Sequence, residues 1–195
     1  MIKSLIGNGG HAREVMSQMK TELIRFVDDE YWSPGDDKVL PLSKFDSKEY
    51  QIMIAIGSSS ERFDIYKRLP TDTSYFSFIH PTAIILEENL EIGEGSFIGA
   101  YSIITTNVKL GKHTLINRGN QIGHDSEIGD FFSAQPGSIV SGNCKLGNCV
   151  YLGTNSSIKE KTTICDNVII GLNSGVVNNI YEKGIYGGVP AKKIS

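Results

Sequence analysis

The pattern of apolar residues along the chain changes close to residue 80. From residue 86 onwards an aliphatic residue recurs at every sixth position. Six is a multiple of the two-residue period of a β-strand, so each hexad predicts a short strand followed by a bend. Three hexads per turn would close into a triangular prism of about five coils, stacked roughly 4.8 Å apart. The register comprises Leu86, Ile92, Ile98, Ile104, Leu110, Ile116, Ile122, Ile128, Ala134, Val140, Leu146, Leu152, Ile158, Ile164, Ile170 and Val176.

The remaining hexad positions support the same prism. The residues two places before each aliphatic position are mostly small, so both are predicted to point into a narrow interior. The two corner positions that follow are rich in Gly and Asn, which adopt the left-handed backbone of tight bends most readily. These corners include Glu94-Gly95, Thr106-Asn107, Arg118-Gly119, Pro136-Gly137, Gly142-Asn143, Asp166-Asn167 and Leu172-Asn173.

The first 80 residues carry another pattern, in which short apolar runs alternate with helical periodicity. Strands alternating with helices imply a small parallel sheet, so this part is predicted to be a Rossmann-like α/β module. We therefore predict two domains, 1–80 and 81–195, the second being a parallel β-helix with a C-terminal tail. The predicted strands are 2–6, 23–27, 51–56 and 75–79, and the predicted helices are 12–20 and 61–69.

A glycine-rich turn follows the first predicted strand. Gly7-Asn8-Gly9-Gly10-His11, with the acidic pair Asp28-Asp29 about 20 residues later, imitates a dinucleotide-binding fingerprint. Its glycine spacing departs from that motif, and the module is too short for two mononucleotide-binding halves, which disfavours NAD. Two interpretations remain: another nucleotide binds at these strand ends, or the turn is purely structural.

Composition narrows the class of protein. The formal net charge of -3 and the pI of about 5.8 argue against nucleic acid or an anionic membrane as a partner. No apolar run approaches the roughly 18 residues of a membrane span, and the apolar start is too short for a signal peptide, so we expect a cytoplasmic protein. The three cysteines are odd in number and lack Cys-x-x-Cys spacing, so neither a disulfide framework nor a metal site is predicted.

One corner histidine suits proton transfer. His124 occupies a position that points out of the prism, and a neutral imidazole accepts a proton readily near pH 7. Equivalent corners recur every three hexads, which places Gly142 beside His124, roughly 5 Å along the axis. A glycine there would expose an N–H that could stabilise a developing oxyanion. The alternative is that His124 is an ordinary solvated corner residue.

Several segments together resemble the sugar O-acyltransferase family of hexapeptide-repeat transferases, which contains sialic acid O-acetyltransferases and PglD-like nucleotide-sugar N-acetyltransferases. This resemblance implies a left-handed coil, a homotrimer with active sites between subunits, acetyl-CoA as donor and His124 as general base. The segments are Gly7-Asn8-Gly9-Gly10-His11, Val27-Asp28-Asp29, Ile122-Gly123-His124-Asp125, Pro136-Gly137 through Gly142-Asn143, and Gly188-Val189-Pro190-Ala191-Lys192.

The same resemblance suggests which residues bind each substrate. PglD has an acidic residue just before its histidine, whereas this chain has Gly123 there, so Asp125 either orients His124 or is an ordinary corner residue. Ser133 stands where PglD has a second histidine. The candidates for the nucleotide sugar are Gly10, His11, Asp28, Asp29 and Asn117. Those for acetyl-CoA are Gly142, Ser133, Gly153, Gly171, Pro190 and Lys192.

The resulting prediction is an acetyl-CoA-dependent N-acetyltransferase of polysaccharide biosynthesis. It would acetylate the amino group of a nucleotide-linked sugar, such as a UDP-linked 4-amino-4,6-dideoxy sugar, by direct transfer. A second possibility is O-acetylation of sialic acid or another sugar, and a third is a β-helix scaffold without catalytic activity.

Overall fold

The N-terminal unit is a parallel sheet with helices on both sides. In the computed structural model, which describes residues 1–87 and 90–195, its five strands have the order β3-β2-β1-β4-β5 and all pair in parallel. This order confirms the Rossmann-like prediction, although β3 was missed because it has only three residues and ends in proline. The elements are β1 (Ile2–Ile6), α1 (Gly10–Met19), β2 (Ile24–Val27), β3 (Val39–Pro41), β4 (Tyr50–Ile54), α2 (Ser59–Arg68) and β5 (Ser74–Tyr75), with short 3-10 turns at Asp29–Tyr31 and Leu42–Lys44.

Both faces of this sheet are buried, as is usual for parallel sheets. Leu5 and Met53 pack on the α1 side with Val15, while Phe26 and Ile52 pack on the α2 side. Helix α2 begins at an N-cap serine, since the Ser58 side chain accepts a hydrogen bond from the Glu61 N–H. In the described part of the chain no helix has the length and apolar character needed to cross a bilayer.

The second unit is a parallel β-helix with three faces, as the hexad register predicts, and its coil is left-handed, as the family resemblance implies. Face 1 consists of Phe78–Ile79, Phe97–Ile98, Leu115–Ile116, Ser133–Ala134, Tyr151–Leu152, Val168–Ile170, Gly184–Gly187 and Lys192–Lys193. Face 2 consists of Ile84–Ile85, Ile103–Ile104, Gln121–Ile122, Ile139–Val140, Ser157–Ile158 and Gly175–Val176. Face 3 consists of Glu91–Ile92, Lys109–Leu110, Glu127–Ile128, Lys145–Leu146 and Thr163–Ile164.

The strand predicted over 75–79 is two strands in two different sheets. Ser74–Tyr75 pairs with β4, whereas Phe78–Ile79 pairs with Phe97–Ile98 and forms the first rung of face 1. The chain therefore passes from one sheet to the other at residues 76–77. The domain boundary at residue 80 stays a prediction.

The hexad register begins one residue earlier than predicted. Ile85, not Leu86, pairs with Ile104, whereas Ile92 pairs with Leu110 as expected. Leu86 is 58% exposed, so its predicted place in the core is wrong. The interval from Ile85 to Ile92 is seven residues, and the first corner between faces 2 and 3 therefore holds one extra residue. A six-residue count hides this insertion because both Ile85 and Leu86 are aliphatic.

From Ile98 to Val176 every aliphatic position of the register is buried. The small residues two places earlier are buried as well, and several of their hydroxyls bond to neighbouring backbone, as Ser138 does to the Gly153 carbonyl at 2.9 Å, whereas the Ser156 hydroxyl has no partner in the described part of the chain. The prediction of two inward residues per hexad is thus confirmed. These small buried residues are Ser96, Ser102, Val108, Thr114, Ser126, Ser138, Cys144, Val150, Ser156, Thr162, Val168 and Ser174.

Faces 2 and 3 differ in their outward residues. Face 2 presents uncharged side chains, namely Ile84, Ile103, Gln121, Ile139 and Ser157. Face 3 instead presents acidic and basic side chains in alternation, namely Glu91, Lys109, Glu127 and Lys145. Charged residues favour water, so face 2 is the better suited of the two to contact another protein surface.

A buried arginine of α2 fastens the N-terminal unit to the β-helix. Arg62 is 1% exposed, and no described carboxylate forms an ion pair with it. Its guanidinium donates to the Ile56 carbonyl at 2.7 Å and, across the interface, to the carbonyls of His113, Phe131 and Phe132 at 3.0, 3.0 and 2.9 Å. Burial lowers the pKa of Arg62 to about 9, which leaves the side chain protonated at neutral pH.

His113 lies in an aromatic cluster beside Arg62. It is a corner residue between faces 3 and 1, on a different edge from His124 as predicted, and it is 1% exposed. Its ring stacks on Phe131 with centroids 5.0 Å apart and meets Tyr75 edge-on at 4.5 Å. Neither ring nitrogen has a hydrogen-bond partner in the described part of the chain. The imidazole therefore functions as an apolar packing group.

Acidification is expected to destabilise the protein through His113. An unfolded histidine gains its proton near pH 6.5, whereas burial, followed by nearby Arg62, lowers the pKa of folded His113 to about 3. Between these values the unfolded state binds the extra proton, so the free energy of unfolding falls as the pH falls. His113 alone should account for a loss of about 2 kcal/mol between pH 7 and pH 5. Urea titrations at the two pH values measure this loss.

His113→Phe is the matched variant, because Phe131 occupies the equivalent corner one coil later with the same left-handed backbone. This substitution should remove the contribution of His113 and reduce the pH dependence accordingly. If wild type and His113→Phe lose the same stability between pH 7 and pH 5, the prediction is wrong.

Candidate active site

The corners between faces 2 and 3 stack as the hexad register predicts. The Asp125 N–H donates to the Thr106 carbonyl at 3.0 Å, and the Asn143 N–H donates to the His124 carbonyl at 2.7 Å. We call this row the His124 edge, and it consists of Thr106-Asn107, His124-Asp125, Gly142-Asn143 and Glu160-Lys161. The second residue of each corner has a φ between 55° and 60°, the left-handed conformation that Asn and Asp tolerate best.

His124 and Asp125 form a hydrogen-bonded pair on this edge. His124 Nδ1 lies 2.6 Å from Asp125 Oδ2, and both side chains are exposed. The pKa of Asp125 is lowered by its hydrogen bonds, first with His124 and then with Asn107, so this carboxylate is ionised at neutral pH. An ionised carboxylate accepts the Nδ1 proton, which leaves the lone pair of Nε2 free to accept a proton.

Gly142 lies directly beside Nε2 of His124. A Cβ atom at Gly142 would come within 2.7 Å of Nε2, so only glycine leaves this space open. No described residue accepts a hydrogen bond from the Gly142 N–H. The edge therefore combines a proton acceptor with an available backbone donor, which is the pair of groups that acyl transfer requires.

A separate cleft of about 490 Å³ opens at the carboxyl ends of β1, β2 and β4, and we call it the strand-end cleft. In a sheet of this order the strand sequence reverses between β1 and β4, and ligands of such folds bind at that switch point. The Gly7–Gly9 turn forms one wall, and nearby the start of α1 at Gly10 supplies backbone N–H groups that no side chain caps in the described part of the chain. Asp28 and Arg68 face each other across the cleft as a bidentate ion pair.

The predicted sugar-binding residues are spread over several places. Asp28 lines the cleft, whereas Asp29 points away from it and accepts a hydrogen bond from the Ser43 N–H at 3.0 Å. His11 packs edge-on against Phe97 of the β-helix, 5.6 Å between centroids, and burial lowers its pKa to about 4. Asn117 is buried at a corner between faces 1 and 2. Within one chain these residues do not form a single site, and their roles stay predictions.

The predicted acetyl-CoA residues are also separated. Gly142 lies on the His124 edge, whereas Gly153 and Gly171 stack one coil apart on the edge between faces 1 and 2. Pro190 and Lys192 are exposed at the C-terminal end of face 1.

Ser133 does not fit an acetyl-CoA contact in this chain. It is fully buried between the two units, where it bonds to Ser59 Oγ at 3.0 Å and receives a hydrogen bond from Arg62 at 2.9 Å. A hexad count places Ser133 on face 1 but cannot show that the N-terminal unit covers it. The correction follows from the docking of α2 on that face.

Sequence reasoning missed three residues beside these sites. Arg68 closes the strand-end cleft, Tyr31 lines it with an exposed ring, and Asn107 donates to Asp125 Oδ1 at 3.0 Å. The stacking of Thr106-Asn107 on His124-Asp125 was a usable signal for Asn107. No comparable signal existed for Arg68, because its pairing with Asp28 spans 40 residues of sequence.

The N-terminal unit and the His124 edge lie on opposite sides of the prism. The unit covers face 1, with Arg62 at one border of that face and Glu14, paired with Arg118 at 2.8 Å, at the other. The edge between faces 2 and 3 is opposite face 1 in a three-sided prism. A further cavity of about 450 Å³, lined by Ser58 and Tyr151 among others, lies where α2 begins against face 1.

Comparison with known proteins supports this two-part architecture. Residues 4–69 match the PglD N-terminal domain family. The chain is 31% identical over 116 residues to UDP-3-O-acylglucosamine N-acyltransferase from Campylobacter lari, and 28% identical over 81 residues to GDP-perosamine N-acetyltransferase from Escherichia coli O157:H7. These matches cover 60% and 42% of this chain, but only 36% of each relative.

Solved structures resemble the chain over its whole length. WeeI from Acinetobacter baumannii AYE has a TM-score of 0.88 and 25% identity, and the match covers 100% of both chains. Perosamine N-acetyltransferase from Caulobacter crescentus, solved as a histidine-to-asparagine mutant with CoA and GDP-perosamine, has a TM-score of 0.88 at 23% identity and covers 100% of this chain and 97% of that one. The acetyltransferase domain of PglB from Neisseria gonorrhoeae FA1090, solved with acetyl coenzyme A, has a TM-score of 0.83 at 22% identity over 98% of both chains.

At 22% and 23% identity the two acetyltransferase structures show a shared fold. The PglD N-terminal domain adds a sequence match to the same architecture. Residues 4–69 thus match the PglD N-terminal domain family, and the chain as a whole shares the fold of the solved structures named above.

Proposed function

We propose that the protein is an acetyl-CoA-dependent N-acetyltransferase that acetylates the amino group of a nucleotide-linked sugar. The observation that carries this proposal is the His124 edge, where a free Nε2 and an available Gly142 N–H lie side by side. The relatives named above act on nucleotide-linked amino sugars or were solved with CoA or acetyl coenzyme A, which supports the same substrate classes.

The proposed reaction needs no covalent enzyme intermediate. The sugar amine attacks the thioester carbonyl carbon while His124 Nε2 takes a proton from the amine, and the C–N bond forms. Negative charge develops on the carbonyl oxygen, where the Gly142 N–H can stabilise it. The C–S bond then breaks and the sulfur of CoA leaves with the proton from His124, which gives the N-acetyl sugar and free CoA. Asp125 holds the imidazole in the tautomer that this sequence requires.

The active site is proposed to form between two chains of a homotrimer. The strand-end cleft belongs to a unit that covers face 1, while His124 lies on the opposite edge, so a sugar bound in the cleft would reach the histidine of a neighbouring chain. The uncharged outward residues of face 2 are suited to such packing, in contrast to the charged face 3. Within one chain Gly142 lies on a different edge from Gly153 and Gly171. This separation is compatible with an acetyl-CoA groove that two subunits share.

The nucleotide of the acceptor is proposed to occupy the strand-end cleft. The glycine turn and the start of α1 direct backbone N–H groups toward a phosphate, which a free sugar lacks. This feature favours a nucleotide-linked acceptor over free sialic acid. A UDP-linked 4-amino-4,6-dideoxy sugar is the acceptor expected from the sequence, and a GDP-linked amino sugar is the natural competitor. A cytoplasmic location stays a prediction.

A panel assay tests the function directly. Release of the CoA thiol is followed with a chromogenic disulfide reagent while acetyl-CoA is offered UDP-, GDP- and dTDP-linked amino sugars, the corresponding hydroxyl sugars and free sialic acid. We expect turnover with at least one nucleotide-linked amino sugar and none with its hydroxyl counterpart, because the amine is the nucleophile. Mass spectrometry of the product should show one added acetyl group.

Two results would replace the proposal. Turnover of sialic acid or of hydroxyl sugars alone would identify an O-acetyltransferase. Absence of turnover with every acceptor, together with no protection of the protein by acetyl-CoA in thermal melts, would favour a β-helix scaffold without catalytic activity.

A further inference from the structure

On the His124 edge, the backbone of Asn107 is held by a side chain of the coil below. At the later corners each left-handed residue donates its N–H to a carbonyl one coil earlier, as Asp125 does to Thr106 and Lys161 does to Gly142 at 3.0 Å each. The N–H of Asn107 donates to the side-chain carboxylate of Glu87. Glu87 follows the face 2 strand Ile84–Ile85, so a carboxylate from the coil below holds the backbone of Asn107.

The side chain of Asn107 continues the chain of contacts toward His124. Its Nδ2 donates to Asp125 Oδ1 at 3.0 Å, while Asp125 Oδ2 lies 2.6 Å from His124 Nδ1. Each oxygen of the carboxylate thus has its own partner. Because Oδ1 is held by Asn107, rotation of the carboxylate about its χ2 bond would break one of the two contacts, and Oδ2 is kept toward the imidazole.

We propose that Asn107, held by Glu87, is a positioning residue that fixes Asp125 and thereby keeps His124 in its Nδ1–H tautomer. Nε2 then stays free and directed toward Gly142. The consequence for catalysis rests on the proposed function, whereas the effect on the tautomer does not. In the described part of the chain the Asn107 side chain hydrogen-bonds to Asp125 and not to the imidazole or to Gly142, so we expect it to act through Asp125.

Exposure makes this positioning necessary. The side chains of His124 and Asp125 are 58% and 45% exposed in the chain, so little packing restrains their rotamers. A single hydrogen bond between two exposed side chains is weak, because water competes for both groups, and it does not hold one geometry by itself. A second hydrogen bond from a backbone-anchored amide restricts the carboxylate without burying it. Loss of a residue that orients a functional group in this way commonly lowers activity by about 10- to 100-fold.

Two substitutions distinguish the effect of the Asn107 side-chain amide from the effect of the left-handed backbone at this corner. Asn107→Gly keeps the φ of 55° accessible and removes the side chain. Asn107→Asp keeps the shape, tolerates the left-handed backbone, and replaces the donor with a carboxylate that repels Asp125. Asn155→Gly is the control, because Asn155 has the same φ of 55° on another edge and no side-chain hydrogen bond in the described part of the chain.

The first measurement needs no substrate. Nitrogen-15 spectra of the full chain with labelled histidine report which ring nitrogen of His124 carries the proton, and His124→Ala assigns its signals among the four histidines. We expect the Nδ1–H tautomer to dominate in wild type and in Asn155→Gly. In both Asn107 variants the Nε2–H form should rise, as it does for an imidazole in water.

The second measurement is the kinetics of acetyl transfer. Both Asn107 variants should lose about tenfold in kcat, while KM for acetyl-CoA and for the acceptor stays within about twofold, since Asn107 contacts neither substrate in the proposed mechanism. If Asn107 had a purely structural role, its substitution would lower the melting temperature, and kcat would not fall while KM stays the same.

An unchanged tautomer in Asn107→Asp or Asn107→Gly overturns the proposal, whatever the rates. A changed tautomer with unchanged kcat overturns the catalytic part and leaves the positioning of His124. If wild type acetylates no acceptor, the proposed function fails while the tautomer still decides the role of Asn107. Should Asn107→Gly fail to fold, Asn107→Asp and Glu87→Ala carry the same test, because alanine removes the side-chain acceptor of the Asn107 N–H.

Discussion

Replacing His124 with alanine is expected to lower kcat for acetyl transfer by about 10²- to 10⁴-fold, the usual contribution of a general base. The KM for acetyl-CoA should change little, because the proton acceptor acts on the amine during attack. The His124 side chain is 58% exposed, so its removal leaves no cavity in the core and the fold should persist. Initial rates of CoA release, with circular dichroism of the same samples, measure both quantities.

Two further variants sharpen this test. His80→Ala is the matched control, because His80 bonds to Thr82 near the start of the β-helix, away from the His124 edge. Gly142→Ala adds a Cβ atom 2.7 Å from Nε2 and must displace the imidazole, although Gly142 does not have the positive φ that would oppose alanine. We expect Gly142→Ala to fold normally and to lose at least about tenfold in kcat. Full activity in His124→Ala would remove the general base from the mechanism.

Replacing Arg62 with methionine is expected to lower the free energy of unfolding by about 3 kcal/mol, because several buried carbonyl groups lose their only charged donor. Methionine fills much of the same volume, so the loss would report hydrogen bonds rather than a cavity. Arg62→Lys should fall between wild type and Arg62→Met, since one ammonium group cannot reach acceptors on both sides of the interface. Urea titrations at one protein concentration measure these differences.

Arg118→Met is the control for Arg62. Arg118 also links the two units, through Glu14 at 2.8 Å, but its side chain is 54% exposed. Exposed ion pairs contribute about 0.2–1 kcal/mol, so this variant should lose little stability. Equal losses in Arg62→Met and Arg118→Met would show that burial of the guanidinium is not what joins the units.

The β-helix and its catalytic edge could be predicted because their information is local. A hexad repeat brings residues 18 apart into contact in every coil, so spacing alone places Gly142 beside His124. The same spacing failed at Leu86, because Ile85 and Leu86 are both aliphatic, so one extra residue between Ile85 and Ile92 leaves the apolar pattern unchanged. The left-handed corners were also predictable, since Asn and Gly mark them in the sequence.

The packing environment of Ser133 and His11 could not be predicted from local spacing. Both lie at the contact between the two units, Ser133 beneath α2 and His11 against Phe97. Ser133 contacts Ser59, which lies 74 positions away in the chain, and His11 contacts Phe97, which lies 86 positions away. Neither separation is a multiple of the six-residue repeat. Local patterns therefore could not show that both residues lie at an internal interface of the folded chain.

Hexad spacing was thus sufficient for the prism, its three faces and the neighbours of His124, because each depends on a repeat of fixed length. The docking of the N-terminal unit depends instead on Arg62, a single cation whose acceptors are backbone carbonyls that leave no mark in the sequence. That docking covers face 1 and leaves the strand-end cleft and His124 on opposite sides of one chain. The physical reason is that a repeat sets contacts by spacing, whereas the packing of two units is set by shape and buried polar groups.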